Sequence, residues 1–236
     1  MSGNLFPSFV LKGRAHEIGY QYGEKCRELI HKNVELYLKI FEHYAHLKPS
    51  QTLSLSKGFI PYIEGFDPSM MEEMRGIAEG VQCRLEEVVA LNVRTELMFP
   101  HRLGIQECTA IGMSEGPILC QNWDWIPSFK DTTVILHIEQ EGKPSITMMT
   151  EAGIIGKIGF NSAGIGLCIN ILISNQVQFG VPIHVIFRGI LNSSSINEAI
   201  NKVFMTERAS ASNCLIGHES GVLLDLEVAP KDFDYL

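Results

Sequence analysis

Among the 236 residues, Cys108 is the side chain whose surroundings most suggest chemistry. It sits in HRLGIQECTAIG (101–112), directly after a loop-like stretch and at the head of a predicted strand. The following MSEGPILCQNWDW (113–125) holds a turn at Ser114-Glu115-Gly116 and a second predicted strand carrying Asn122 and Asp124. A thiol of ordinary pKa, about 8.5, needs a base to act as a nucleophile. No histidine lies nearby in a pattern that suggests a Cys–His pair. An α-amino group, of pKa about 7.7–8.0, would serve if the chain were cut between Glu107 and Cys108 so that Cys108 became N-terminal. Asn122 and Asp124, two apart on a strand, share a face beside the partner strand that starts with Cys108. The residues alone leave two readings open. Cys108 is either this nucleophile or a small buried apolar residue, with Trp123-Asp124 in a turn.

Competing chemistry is weaker. GIIGKIG (153–159) has the wrong glycine spacing for a phosphate loop and no Ser or Thr after Lys157. No G-x-S-x-G supports a serine nucleophile. The pairs Glu72-Glu73 and Glu86-Glu87 read as solvated helix faces. His16, His137 and His184 stand alone. His43 and His46 could share a face, but nothing completes a ligand set, so no metal is expected.

The net charge of −8 argues against binding to nucleic acid or an anionic membrane surface. The opening MSGNLFPSFVLKGRAHEIG lacks the basic start and apolar run of a secretory signal, and no apolar stretch is long enough to span a bilayer. Six scattered cysteines without a C-x-x-C pair suggest a reducing compartment, hence a cytoplasmic protein without structural zinc.

These residues must be positioned by a helical region followed by a strand-rich one. Ile18, Tyr22, Cys26, Ile30 and Val34 recur at spacing four within a helix expected over 14–48. A second helix is expected over 51–65. A third begins after Asp67-Pro68. From Cys108 onward the period becomes strand-like: CTAIGM with PILCQNWDW, TTVILHIEQ with SITMMTEA, two short strands in KIGFNSAGIGLCINIL, and finally ASNCLIGH with GVLLDLEV. Helices are expected at 182–192 and 195–206, the latter with a capping box at Ser195 and Glu198. The pattern is α+β: an all-helical leader over 1–107 and a sheet-rich unit over 108–236.

Six stretches then resemble the penicillin acyltransferase family of N-terminal-nucleophile cysteine hydrolases. They are HEIGYQYG (16–23), MRGIAEG (74–80), ALNVRTEL (90–97), CTA (108–110), QNWDW (121–125) and TEAGIIGKIGFNSAG (150–164), in the family's order along the whole chain. The resemblance implies a four-layer αββα sandwich. It also implies a precursor that cuts itself before the cysteine into α and β chains that stay associated. Carried over by position, Cys108 is the nucleophile and Asp124 the carboxylate that assists its amine. Asn170 falls where related choloylglycine hydrolases place an oxyanion-hole asparagine. Gln121 stands where those enzymes carry an arginine, so that arginine's contacts do not transfer; Gln121 and Asn122 are candidate substrate contacts. Glu107 replaces the glycine of the penicillin enzyme at the cleavage position. Family members also continue beyond DFDYL, so the sandwich is expected to be incomplete at the C-terminus.

The implied activity is that of an amidohydrolase or acyltransferase working on a small N-acyl or amide substrate through a thioester. Acyl-coenzyme A is the candidate acyl donor, no cofactor is required, and the partners are the protein's own α and β chains and a second copy in a homo-oligomer. The alternative is an uncleaved, non-catalytic precursor-like protein whose leader covers a small-molecule-binding site. Arg94 and Glu96, just before the cut, either brace the loop that presents it or form an ion pair at a helix end.

Overall fold

The computed structural model describes residues 6–98, 108–174, 178–231 and 233–235. Its first element overturns the all-helical leader: Ser8–Gly13 is a strand, β1, paired in parallel with residues 135–140. Only Leu11 in SFVLKG is buried, so this edge strand shows too little alternation to announce itself. The helix expected over 14–48 is two helices, α1 (Ala15–Lys25) and α2 (Arg27–Ala45), bent apart at Cys26. The spacing-four stripe survives the bend, because Ile18, Tyr22, Cys26, Ile30 and Val34 are all buried. The helix expected over 51–65 is likewise split into α3 (Pro49–Lys57) and α4 (Ile60–Phe66).

Helix α5 (Pro68–Val81) starts as expected: the Asp67 carboxylate accepts a hydrogen bond from the Ser69 amide at 2.9 Å, and Pro68 occupies the first turn. Short helices α6 (Leu85–Asn92) and α7 (Arg94–Met98) follow. Helix α1 lies against α5 at backbone contact distance. A Cβ at Gly19 would fall on the carbonyl of Glu73, and one at Gly80 on that of Tyr20. The glycines of HEIGYQYG and MRGIAEG are therefore demanded by this crossing.

Strands β2 (Thr109–Met113) and β3 (Ile118–Asn122) form a separate two-stranded ribbon. After a 3-10 turn at Pro127–Thr132 come β4 (Thr133–Gln140), β5 (Ile146–Glu151), β6 (Ile158–Asn161) and β7 (Ile165–Ile171). Then follow helices α8 (Ile183–Leu191) and α9 (Ile196–Phe204), and strands β8 (Ser212–His218), β9 (Leu223–Val228) and β10 (Phe233–Tyr235). At α9 the Ser195 hydroxyl accepts from the Glu198 amide at 3.3 Å, while the Glu198 carboxylate caps Ser194, one residue earlier than a capping box requires. The order β1-β4-β5-β6-β7-β8-β9-β10 makes an eight-stranded sheet, antiparallel except at β1–β4.

One face of this sheet, with Leu136, Met148, Leu167 and Ile216 in neighbouring register, joins the helices in the core. The opposite face carries the ribbon. There Gly166 and Gly217 stand directly across from each other and leave a hollow for Leu119; a Cβ at Gly166 would lie 2.7 Å from the Leu119 side chain. The protein is thus α+β, with a helical layer, a large sheet and a small one. Among the described residues the small sheet has two strands, and its outer face leaves Ile111, Met113 and Ile118 exposed.

Candidate active site

Cys108 immediately precedes β2, half-buried, with φ of +59°. Its carbonyl accepts a hydrogen bond from Asn170 Nδ2 at 2.6 Å, across the junction between ribbon and large sheet. Strand β7 reaches this point because its alternation puts Gly166, Cys168 and Asn170 on the ribbon side and Leu167 and Ile169 in the core. Gln121 seals the same junction: its Nε2 donates to the Ile169 carbonyl at 2.5 Å, and its Oε1 accepts from the Ile169 amide at 2.8 Å. Both ends of the Gln121 amide are committed to backbone. Asn122 pairs with Thr109 at the end of the ribbon and is exposed. Asp124 lies two residues past β3, exposed, and lines a cleft of about 280 Å³ with Phe6, Trp123, Trp125, Phe129 and Lys130. Glu107 lies outside the described residues, so the structure brings together Cys108, Asn170 and Gln121 on the sheet and sets Asp124 on the segment leaving it.

Two polar residues that sequence reasoning passed over extend this face. Asn213 of β8 is in register with Asn170, and its Nδ2 donates to Asp225 Oδ1 of β9 at 2.5 Å. Their signal was a polar residue interrupting each of two apolar runs, SNCLIGH and LLDLEV. Cys168 also faces this side, and burial, then the neighbouring Cys120 and Cys108, push its thiol up to about 11. It is a thiol, not a thiolate, at neutral pH.

Beneath the Asp124 segment is a buried ionic network. Glu151 ion-pairs with Lys157 and, at 3.7 Å, with Arg94, and it accepts a hydrogen bond from the Tyr37 hydroxyl at 2.6 Å. Burial alone would raise the Glu151 pKa, but Lys157 and Arg94 outweigh it and hold the carboxyl down to about 2. Close by, burial depresses the pKa of His184 well below its usual value. The neutral ring lies 2.8 Å from the Gly156 carbonyl through Nδ1, so Nδ1 carries the proton.

Arg94 and Glu96 each find hydrogen-bond or ion-pair partners elsewhere in the fold, although the Arg94 charge also acts on the Glu96 carboxyl. Arg94 turns to Glu151, while Glu96 accepts from the Ile183 amide at 2.9 Å and from the Ser210 hydroxyl at 2.6 Å, capping α8. Glu73, expected on a solvated face, is buried instead and grips Arg188 with both oxygens, at 2.9 and 2.8 Å. Its neighbour Glu72 is exposed and pairs with Arg75. Among the described residues no three His, Cys, Asp or Glu side chains are grouped to hold a metal ion, and no helix is long and apolar enough to cross a membrane.

The TEAGIIGKIGFNSAG stretch supplies much of this framework. Asn92 of α6 donates to Gly153 and accepts from Ile155, both at 2.9 Å. Asn161 donates to the carbonyls of Leu191 and Ser193 and accepts from the amides of Ala163 and Ile165.

The family model described as acyl-coenzyme A:6-aminopenicillanic acid acyl-transferase matches residues 112–234, more than half of the chain. The chain belongs to this acyltransferase family. A curated member from Emericella nidulans, the 40 kDa form of acyl-coenzyme A:6-aminopenicillanic-acid-acyltransferase, is 31% identical over 222 residues. That alignment covers 93% of this chain and 62% of the relative, so the chain spans less than two thirds of the relative's length. The family match takes in the last two residues of β2, all of β3 through β9 and most of β10, a span that includes Asn170, Gln121 and Asp124. Cys108 stands just before it.

Proposed function

We propose that the protein is a self-processing acyltransferase or amidohydrolase in which Cys108 is both the cleavage residue and the nucleophile. The observation that carries this reading is the 2.6 Å bond from Asn170 to the carbonyl of a cysteine held at positive φ. A non-glycine residue in that conformation is strained by roughly 1–2 kcal/mol, and a cut in front of Cys108 would free its N–Cα torsion from the preceding chain.

In the first step the Cys108 thiol attacks the Glu107 carbonyl carbon. The C–N bond breaks, the departing amine takes up the thiol proton, and a thioester joins Glu107 to Cys108 Sγ. Water then hydrolyses the thioester, leaving a Glu107 carboxylate and a thiol with an adjacent α-amine. In the mature site that amine, oriented by Asp124, accepts the thiol proton, and the thiolate attacks the carbonyl of a small amide, N-acyl compound or acyl-coenzyme A. Asn170 Nδ2 has two hydrogens. One holds the Cys108 carbonyl, and the other serves, with a backbone N–H, as donor to the oxyanion. The leaving amine or thiol departs protonated, and water or a second amine takes the acyl group from Cys108. Gln121 has a holding role in this scheme, Asn122 is the remaining candidate for substrate contact, and the α and β chains remain one αββα body.

Mass spectrometry of the purified protein tests the reading. A break between Glu107 and Cys108, absent from Cys108→Ala, is expected, with Cys108 then labelled by a thiol-directed acylating probe. An intact chain that the probe leaves unlabelled would sink it.

A further inference from the structure

The chain has two tryptophans, Trp123 and Trp125, and they flank Asp124. Each lies against a different buried cation. Lys157 Nζ is 3.7 Å from the Trp123 ring centroid, and the Arg94 guanidinium carbon is 4.7 Å from that of Trp125. Both cations converge on one carboxylate, Glu151. Glu151 is 0% exposed and Lys157 and Arg94 are 1% exposed. As mere core filling this is a poor solution, because buried charges are commonly matched or bettered by apolar residues of the same shape. What apolar residues could not do is present two fixed positive charges to two indole faces. The indoles are half-buried, whereas Asp124 between them is exposed at the mouth of the aromatic cleft.

We infer that Lys157 and Arg94, locked by Glu151, are positioning residues: they clamp Trp123 and Trp125 and thereby fix where the Asp124 carboxylate stands relative to Cys108. The functional half of this inference rests on the proposed role of Asp124. The mechanical half does not. Cation–π contacts depend on the face of the ring, so the clamp sets the rotation of each indole as well as its depth. Neither tryptophan can turn without leaving its cation, and Asp124 is held from both sides.

Because Trp123 and Trp125 are the only tryptophans, intrinsic fluorescence reports on this segment alone. In Lys157→Met, acrylamide should quench the emission at least ~2-fold more strongly, and self-cleavage should slow ~10-fold or more, as expected for loss of orientation. Trp123→Phe keeps a ring face for Lys157 and should process within ~3-fold of wild type, while Trp123→Leu should match Lys157→Met. If Lys157→Met fails to fold by circular dichroism, the double variant Glu151→Gln/Lys157→Met, which removes the buried pair together, is scored by the same two readouts. Folded Lys157 variants with native quenching overturn the clamp, even if they melt at a lower temperature. Equal processing by Trp123→Phe and Trp123→Leu overturns it as well. Asp124→Asn with native rates defeats the Asp124 role alone, and the quenching of Lys157→Met still decides whether the clamp exists.

Discussion

Replacing Asn170 separates two roles that its geometry allows, and the size of the effect decides between them. Asn170 Nδ2 donates to the Cys108 carbonyl at 2.6 Å. If the amide only holds Cys108 in place, its loss removes one neutral hydrogen bond, about 0.5–1.5 kcal/mol, and slows self-cleavage by about 2- to 12-fold. If its second hydrogen also stabilises the oxyanion that forms on the Glu107 carbonyl during self-cleavage, as proposed for the substrate oxyanion in turnover, the loss is about 2.7–4 kcal/mol, or about 10²- to 10³-fold. The larger effect is expected for Asn170→Ala. Asn170→Asp should be slower still, since a carboxylate has no N–H to donate and sets two acceptors against the Cys108 carbonyl. The assay is the time course of appearance of the two fragments on a gel, with mass spectrometry locating the new terminus at Cys108 and circular dichroism checking the fold. A slowing smaller than about 12-fold refutes the oxyanion role. A rate within twofold of wild type in a folded Asn170→Ala refutes both.

Four further outcomes follow from packing and charge. Glu151→Gln strands two buried cations at a cost of about 3–5 kcal/mol. At roughly 2.1 cal/mol/K of unfolding entropy per residue over 236 residues, that lowers the calorimetric Tm by about 6–10 °C, and a fall under about 2 °C would contradict the network. The pH dependence has a definite sign: the folded Glu151 pKa, about 2, lies below the ordinary value of about 4.3, so its contribution is full above that value and fades as acid approaches 2. The stability gap between wild type and Glu151→Gln should hold steady from about pH 7 to 5 and narrow on further acidification; a gap that widens there has the wrong sign. Glu73→Gln removes the charge that Arg188 grips at 2.9 and 2.8 Å and should lower stability by a similar ~3–5 kcal/mol in urea unfolding. Gly166→Val fills the hollow under Leu119, where a Cβ already stands at 2.7 Å; about 1–3 kcal/mol of overpacking and slower self-cleavage are expected with the helices intact, and native processing would show that the ribbon's seat is unimportant.

How much of this was legible depended on whether a residue's partner was near in sequence. The helix stripe through Tyr22 and Ile30, the hairpins β2–β3 and β4–β5 and the start of α5 at Asp67 rest on local periodicity and turn chemistry and stand where the pattern puts them, except that β3 stops at Asn122, so Asp124 is not on the strand and does not share its face with Asn122. The bends at Cys26 and Gly58 do not, since each follows from where the next helix finds its neighbour. Glu73 shows the limit most clearly. Beside Glu72 it looks like half of a solvated pair, and only Arg188, 115 residues later, makes its burial tolerable. Asn213 and Asp225 were hidden in the same way, because Asn213 takes its meaning from its register with Asn170 and Asp225 from its bond to Asn213.

The most specific part of the resemblance and the proposed chemistry occupy different residues. TEAGIIGKIGFNSAG is long because nearly every position in it has a structural partner: Glu151 holds Lys157 and Arg94, Gly153 and Ile155 meet Asn92, and Asn161 closes the turn between β6 and β7 onto the end of α8. Such a stretch can vary little without losing the fold. The reaction, by contrast, is assigned to three separated single residues, Cys108, Asp124 and Asn170, and to the bond after Glu107. A relative could keep the whole framework and lose the activity through one of them. The clamp on Trp123 and Trp125 is where the two meet, because there the framework reaches out to hold a residue of the proposed site. A measurable effect of Lys157 on self-cleavage would tie the most specific part of the sequence to the chemistry.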